Sequence, residues 1–321
     1  MRVCSDAEVA AALDLADLLD VVEDAFARQG RGEVTRPERP HFPVGQDAAG
    51  DDPAGTGLAM PAYLHGADHY ATKLVGVHDG NADRDLPTVQ AQLVLTRADT
   101  GEPAALLAGE RITNARTGCI GGVATRHLAP GDGPVALGVV GAGTQARWQT
   151  RAVDAAVGVE AVRVYAPSDS RRRCAADLRD RGIAAEAVSS PTAAVADADV
   201  VVTATTATEP VFPGAALSPG TLVVAVGAYD ASMRELDAET VARADALYAD
   251  VPAEVAATGD FPTRGAEAFT PLSAAVGDAS SPTGSDVVVV GSVGSATLDA
   301  AAGEHVYERV CAEDAGTELS L

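Results

Sequence analysis

VALGVVGAGTQA, Val135 to Ala146, decides the fold of this chain. It runs as a continuous apolar strand, breaks at glycines, and opens into a helical stretch over 144–157. Gly141, Gly143 and Ala146 give the spacing GxGxxA at that strand-to-helix turn. Gly141 permits a tight turn and Gly143 lets the backbone approach a phosphate. The helix start at Thr144, Gln145 and Ala146 then offers backbone N–H groups to an anion. Glycine-rich turns are common, and the same spacing also serves turns that bind nothing. Its place at the head of a parallel run carries the dinucleotide reading.

Downstream, the apolar runs VRVYA, AAEAV, DVVVTAT, TLVVAVGA, ALYAD and DVVVVGSVG alternate with helical stretches such as DSRRRCAADLRDRG and PTAAVADAD. Buried strands alternating with helices mean βαβ units and a parallel sheet. Upstream of Pro134 the texture differs. AMPAYL, YATKLVGV, TVQAQLVLT and AALLAG are short strands with turn signals between them, DTGEP (Asp99 to Pro103) being a hairpin-type turn. Glu110 to Ala129 reads as a helix leading out of this antiparallel half. The start, MRVCSDAEVAAALDLADLLD, reads as an amphipathic helix and not as a signal peptide. An extended segment follows, broken by Pro37, Pro40 and Pro43, then a polar Gly/Asp loop from Gln46 to Gly57. The expected fold class is α/β: a Rossmann-type doubly wound parallel sheet plus a strand-rich α+β domain.

A formal charge of −23 over 321 residues repels phosphate, which argues against a nucleic-acid or anionic-membrane partner. The acids are scattered, and all but one of the 23 basic side chains are arginine. That pattern suits a halophilic surface kept hydrated in concentrated salt. Cys4, Cys119, Cys174 and Cys311 lie far apart with no CxxC pair, so neither a zinc site nor a disulfide framework is indicated. No apolar run approaches the roughly 20 residues of a membrane span. The expected location is cytoplasmic, with no metal.

Cofactor choice is written at the end of the strand after the glycine turn. NAD sites place an acid there for the ribose 2′-OH. This chain reads VYAPSDSRRR, with Ala166 and Pro167 at the tip, then Ser168, Asp169 and Ser170, and Arg171, Arg172 and Arg173 beyond. Arginines in place of the acid favour a 2′-phosphate, hence NADP(H), with NAD(H) possible; the plainer reading is a solvated helix face.

HYATKLVGVH, His69 to His78, holds the one lysine of the chain. Lys73 is either a strand residue whose stem lies on apolar surface or a site that needs a compact amine able to lose its proton, which arginine cannot do.

The string from Met60 to Gly118, with KLV, LPTVQ, TGEP, IT and NARTG in order, resembles the substrate half of the ornithine cyclodeaminase/μ-crystallin family, which includes archaeal alanine dehydrogenases and ketimine reductases. GAGTQA, AVGAYDASMRELD and GSVGSA follow in the expected order, so the resemblance covers nearly the whole chain. It implies a substrate and dimerisation domain over 1–118, a Rossmann domain over 119–296, a C-terminal helix (297–321) returning to the first, and a homodimer. It also implies roles. Lys73 matches the family's active-site lysine, Arg116 its substrate-carboxylate arginine and Arg39 a second carboxylate contact, while Thr88, Val293 and Gly294 would line the nicotinamide. The chemistry suits an α-imino or α-amino acid, whose carboxylate wants arginines and whose nitrogen wants a partner that changes protonation. One departure concerns the aspartate that cyclodeaminases carry after the VG glycine. Tyr229 stands there, with Asp230 one step on, and the pair are the candidates for that acid–base place. This tilts the expectation toward imine reduction or amino-acid dehydrogenation, with ornithine cyclodeamination or non-catalytic NADPH binding as alternatives.

Overall fold

The short apolar runs before Gly109 become an antiparallel meander. In this computed structural model, which describes residues 1–46, 50, 52–84, 86–276 and 286–320, the strands are β1 (Arg2–Cys4), β2 (Val34–Thr35), β3 (His41–Val44), β4 (Gly55–Leu64), β5 (His69–Val77), β6 (Val89–Arg97) and β7 (Pro103–Ala108). With the C-terminal strand Thr317–Glu318 they form one sheet, in the order Thr317–Glu318, β1, β7, β6, β5, β4, β2, with β3 also paired to β4. β4 to β7 pair antiparallel, and β1 joins β7 in parallel. The DTGEP turn closes between β6 and β7, where Gly101 takes φ +75 and Arg97 N–H donates to Glu102 O. The Gln46–Gly57 stretch lies partly outside the described residues, and Gly55 to Gly57 open β4.

The start of the chain differs from one continuous helix. β1 comes first, and Ser5 then caps the helix Asp6–Ala12 in a capping box with Glu8. The next helix, Leu15–Gly30, buries Leu18, Leu19, Val22, Ala25 and Phe26 on one face.

From Val135 to Gly291 every strand is parallel. They are β8 (Val135–Val140), β9 (Val159–Tyr165), β10 (Ala185–Ala187), β11 (Val200–Thr203), β12 (Thr221–Ala225), β13 (Ala244–Ala249), β14 (Thr270–Pro271) and β15 (Val287–Gly291). Their order is β10-β9-β8-β11-β12-β15-β13-β14, so the sheet winds outward in both directions from β8. β11, β12 and β15 are buried at every position, which is why they read as unbroken apolar runs. Val140, Val201, Val223 and Val289 share one core with Leu236, Phe261 and Phe269.

Two compact units result: Met1–Asp14 with Arg31–Arg116 and Ala296–Leu321, and Leu15–Gly30 with Thr117–Ser295. The first domain, expected to take 1–118, does not hold the helix Leu15–Gly30. Its apolar face packs on the helices Thr144–Val157 and Leu272–Val276, so burial assigns it to the second unit. No helix among the described residues is long and apolar enough to cross a membrane.

Candidate active site

Strand alternation puts Lys73 on the inner face of β5, level with Ala71. Its cross-strand neighbours are Met60 on β4 and Leu93 on β6, and the side chain is buried to 3% exposure. The helix Ala296–Ala312 lies across this face, over β4, β5 and β6. It comes close because Gly303 has no Cβ to meet the Leu93 side chain. One turn earlier on the same helix face stands Asp299, which is 1% exposed. Lys73 Nζ lies 2.6 Å from Asp299 Oδ2. Arg116, on the helix Gly109–Leu128, donates from Nε to Asp299 Oδ1 at 2.8 Å and from Nη2 to Oδ2 at 3.4 Å. Arg116 Nη1 is buried and has no hydrogen-bond partner among the described residues.

The electrostatics follow from this geometry. Burial pushes the Asp299 carboxyl up, but the charges and hydrogen bonds of Arg116 and Lys73 outweigh it and hold the group below the usual carboxylate range. Burial is the largest influence on Lys73 and lowers its amine from the ordinary lysine value to about 8. Asp299 opposes that fall, while Arg116 and Arg39 add to it. Two buried cations therefore share one carboxylate. A low-polarity site with one uncompensated positive charge and an unpaired guanidinium N–H favours a further anion.

The dinucleotide end is built in the second unit. Gly141, at φ +117, lets β8 turn where any Cβ would strike the Ala204 carbonyl. Gly143 caps the helix Thr144–Val157 with no side-chain hydrogen bond, and the first turn holds no acid. Open space surrounds the place of a Gly143 Cβ. Gly143 and Thr144 are exposed, Gln145 is half-buried, and Ala146 is fully buried beneath them. These residues fit a pyrophosphate at a helix N-terminus. Arg147 braces the turn by donating to Ala142 O and Gly143 O while pairing with Asp177. At the tip of β9, Arg171 Nη1 folds back onto the carbonyls of Ala166 and Ser168, and Ser168 Oγ meets Ser170 Oγ at 2.8 Å. The Arg172 side chain stays 73% exposed, 3.8 Å from Asp169.

The remaining expected residues lie as follows. Val293 and Gly294 sit in a loop whose N–H groups donate to the buried Asp250 carboxylate, as does the Ser292 hydroxyl. Thr88 is half-buried in the first unit, and its carbonyl accepts from His78 N–H. Tyr229 is half exposed. Asp230 Oδ1 accepts from Ser232 N–H, Ser232 Oγ and Met233 N–H, closing a local turn. Sequence reasoning missed Asp299, Asp250 and Glu235.

Glu235 is fully buried and accepts from Thr203 Oγ1, Thr205 N–H and Gly227 N–H, tying together the ends of β11 and β12. Burial raises its carboxyl to about 7, Asp260 adding to the rise and the three donors opposing it. A carboxyl raised on folding keeps its proton longer in the folded than in the unfolded chain. Its stabilising protonation is complete below the ordinary glutamate range and is lost as pH climbs through about 7. Unfolding free energy should therefore fall between pH 5 and 8, and Glu235→Gln should flatten that fall by on the order of 2 kcal/mol. Urea titrations at both pH values check this, and equal slopes for the two proteins would contradict it.

Comparison with known proteins agrees with this architecture. The ornithine cyclodeaminase/mu-crystallin family model matches residues 1–314. An alanine dehydrogenase of Archaeoglobus fulgidus is 28% identical over 328 residues, covering 98% of this chain and 96% of that one. The ketimine reductase mu-crystallin of Rattus norvegicus is 32% identical over 286 residues, covering 88% of each chain. The structure of a Thermococcus litoralis Δ1-pyrroline-2-carboxylate reductase in complex with NADH and L-proline superposes with a TM-score of 0.91 at 30% identity, covering 99% of this chain and all of that one. The chain belongs to the ornithine cyclodeaminase/mu-crystallin family.

Proposed function

We propose that this protein is an NAD(P)-dependent oxidoreductase acting at the Cα of a small α-imino or α-amino acid, with reduction of an imine the favoured direction. The observation that carries it is the buried Lys73–Asp299–Arg116 cluster, one anion short, with Arg116 Nη1 unpaired. A substrate carboxylate fits there, taking the N–H of Arg116 Nη1 with Arg39 as its second contact. Gly141, Gly143 and the Thr144–Ala146 helix start would hold NAD(P)H, which would supply the hydride when bound. Lys73 supplies the proton: at about 8 its amine is mostly protonated at neutral pH yet near enough to release. The imine nitrogen takes that proton as Cα becomes saturated, and the amine recovers one from solvent. Thr88, Val293 and Gly294 are proposed to line the nicotinamide, the last two aimed by Asp250.

The test is a panel of cyclic α-imino acids, 2-oxo acids with ammonia, and ornithine, assayed in molar salt with both cofactors. Net loss of NAD(P)H absorbance with an imine or with oxo acid plus ammonia supports the proposal. Ammonia release from ornithine without net cofactor change would make the protein a lyase, and cofactor binding with neither would make it non-catalytic.

NADP(H) is the proposed preference, since no acid stands at the β9 tip and Arg172 is largely exposed beside it, its contact with Asp169 being long at 3.8 Å. A charge-assisted contact is worth about 1.5–3 kcal/mol, so NADPH should bind roughly tenfold or more tighter than NADH. Replacing Arg171 and Arg172 together should remove the difference. Equal affinities in the unmodified protein would contradict this.

We further propose a cytoplasmic homodimer adapted to salt. The outer face of the meander leaves Tyr70 and Leu74 exposed for a second copy, and all four cysteines are free thiols, as in a reducing compartment. With a charge of −23, screening should relieve self-repulsion, so the thermal midpoint should climb from millimolar to molar KCl. A constant midpoint would rule out the salt adaptation.

A further inference from the structure

The Lys73 amine faces charged groups from three elements: Asp299 on the helix Ala296–Ala312, Arg116 on the helix Gly109–Leu128, and Arg39 from the segment before β3. The next ionisable pair along the same strand and helix, His69 and Glu304 at 3.2 Å, fastens the far end of β5. Asp299 uses both oxygens. Oδ2 takes the ammonium at 2.6 Å, and Oδ1 takes Arg116 Nε at 2.8 Å. Those bonds consume the Nε and Nη2 edge of Arg116, so Nη1 is the nitrogen left for a ligand.

We propose that Asp299 is the positioning residue of this site, fixing the spacing between the Lys73 amine and the free Arg116 nitrogen and keeping Lys73 protonated until the substrate nitrogen takes the proton. This rests on the reading of Lys73 as proton donor. A substrate carboxylate and a substrate nitrogen lie two bonds apart along Cα, so the two cations that meet them need a set separation. One carboxylate bonded to both provides it. Asp299 itself makes no substrate contact, because its oxygens are already occupied by cations. A second consequence is electrostatic. Without the carboxylate, the buried amine would face two guanidinium groups alone, and its proton would leave at lower pH.

The composition makes this measurable. Lys73 is the one lysine in the chain, so protein grown on lysine labelled with carbon-13 at Cε gives a single side-chain resonance. Its midpoint should lie near 8 in the unmodified protein. In Asp299→Asn it should fall by about one unit or more, and the basic limb of kcat should move the same way while NADPH titration stays unchanged. An unmoved or higher midpoint in the folded variant would overturn the proposal. Unfolding is recognised separately, because a free lysine titrates at about 10.4. Should Asp299→Asn not fold, Asp299→Glu decides. It keeps the charge but alters the spacing, so the midpoint should hold while kcat falls about tenfold or more; an unchanged kcat would overturn the positioning role. A fully active Lys73→Arg enzyme would instead remove the reading of Lys73 as proton donor, and it leaves the resonance measurement untouched.

Discussion

Lys73→Arg is expected to lose about 10²–10⁴ in kcat, almost as much as Lys73→Ala. Charge is kept in the first variant and lost in the second, so similar damage from both isolates proton exchange as the function of the residue. Guanidinium stays protonated at any working pH. It is also broader than an ammonium, and the slot between Met60, Leu93 and Asp299 is closed to 3% exposure. NADPH titration should be unaffected, since the glycine turn belongs to the second unit. Steady-state kinetics on the three proteins check this. Were Lys73→Arg fully active, the lone lysine would be an accident of composition.

Arg116→Ala should act on binding. Removing one partner of a buried charge pair costs about 2–5 kcal/mol, which corresponds to a KM for the imino acid raised by roughly 30-fold to 4,000-fold. Its kcat should fall less than that of the lysine variants, because Lys73 keeps Asp299. The pH profile gives an independent sign. Arg116 helps hold the Lys73 amine down, so its removal should carry the basic limb to higher pH, opposite to Asp299→Asn. An unchanged KM would show that the substrate carboxylate is gripped elsewhere.

Much of the second unit was legible because its strands are buried on both faces and read as unbroken valine runs, with glycines marking the turn between β8 and the helix Thr144–Val157. Lys73 was legible through its solitude. Asp299 was not, since an acid in a C-terminal helix usually faces water and its partners lie 183 and 226 positions away. A signal was present: ATLDAAAG carries a single charge among small apolar residues, as a buried helix turn would. Asp250 was hidden as the polar end of ALYAD, where an acid ordinarily marks a strand's exit. The helix Leu15–Gly30 lies early in the chain, and only its packing partners assign it to the second unit. The local turn in which Ser232 and Met233 N–H groups donate to Asp230 was not legible, because a sequence does not show which backbone groups a carboxylate will accept from.

In the proposed reaction a buried site one anion short receives a substrate carboxylate beside an imine nitrogen. The most direct measurement compares the rate of NADPH consumption with a cyclic α-imino acid and with its carboxamide, in molar salt. The acid should turn over, the carboxamide should show a kcat/KM lower by about 10²-fold or more, and the gap should narrow in Arg116→Ala. Equal rates for acid and carboxamide, or no turnover of either, would contradict it.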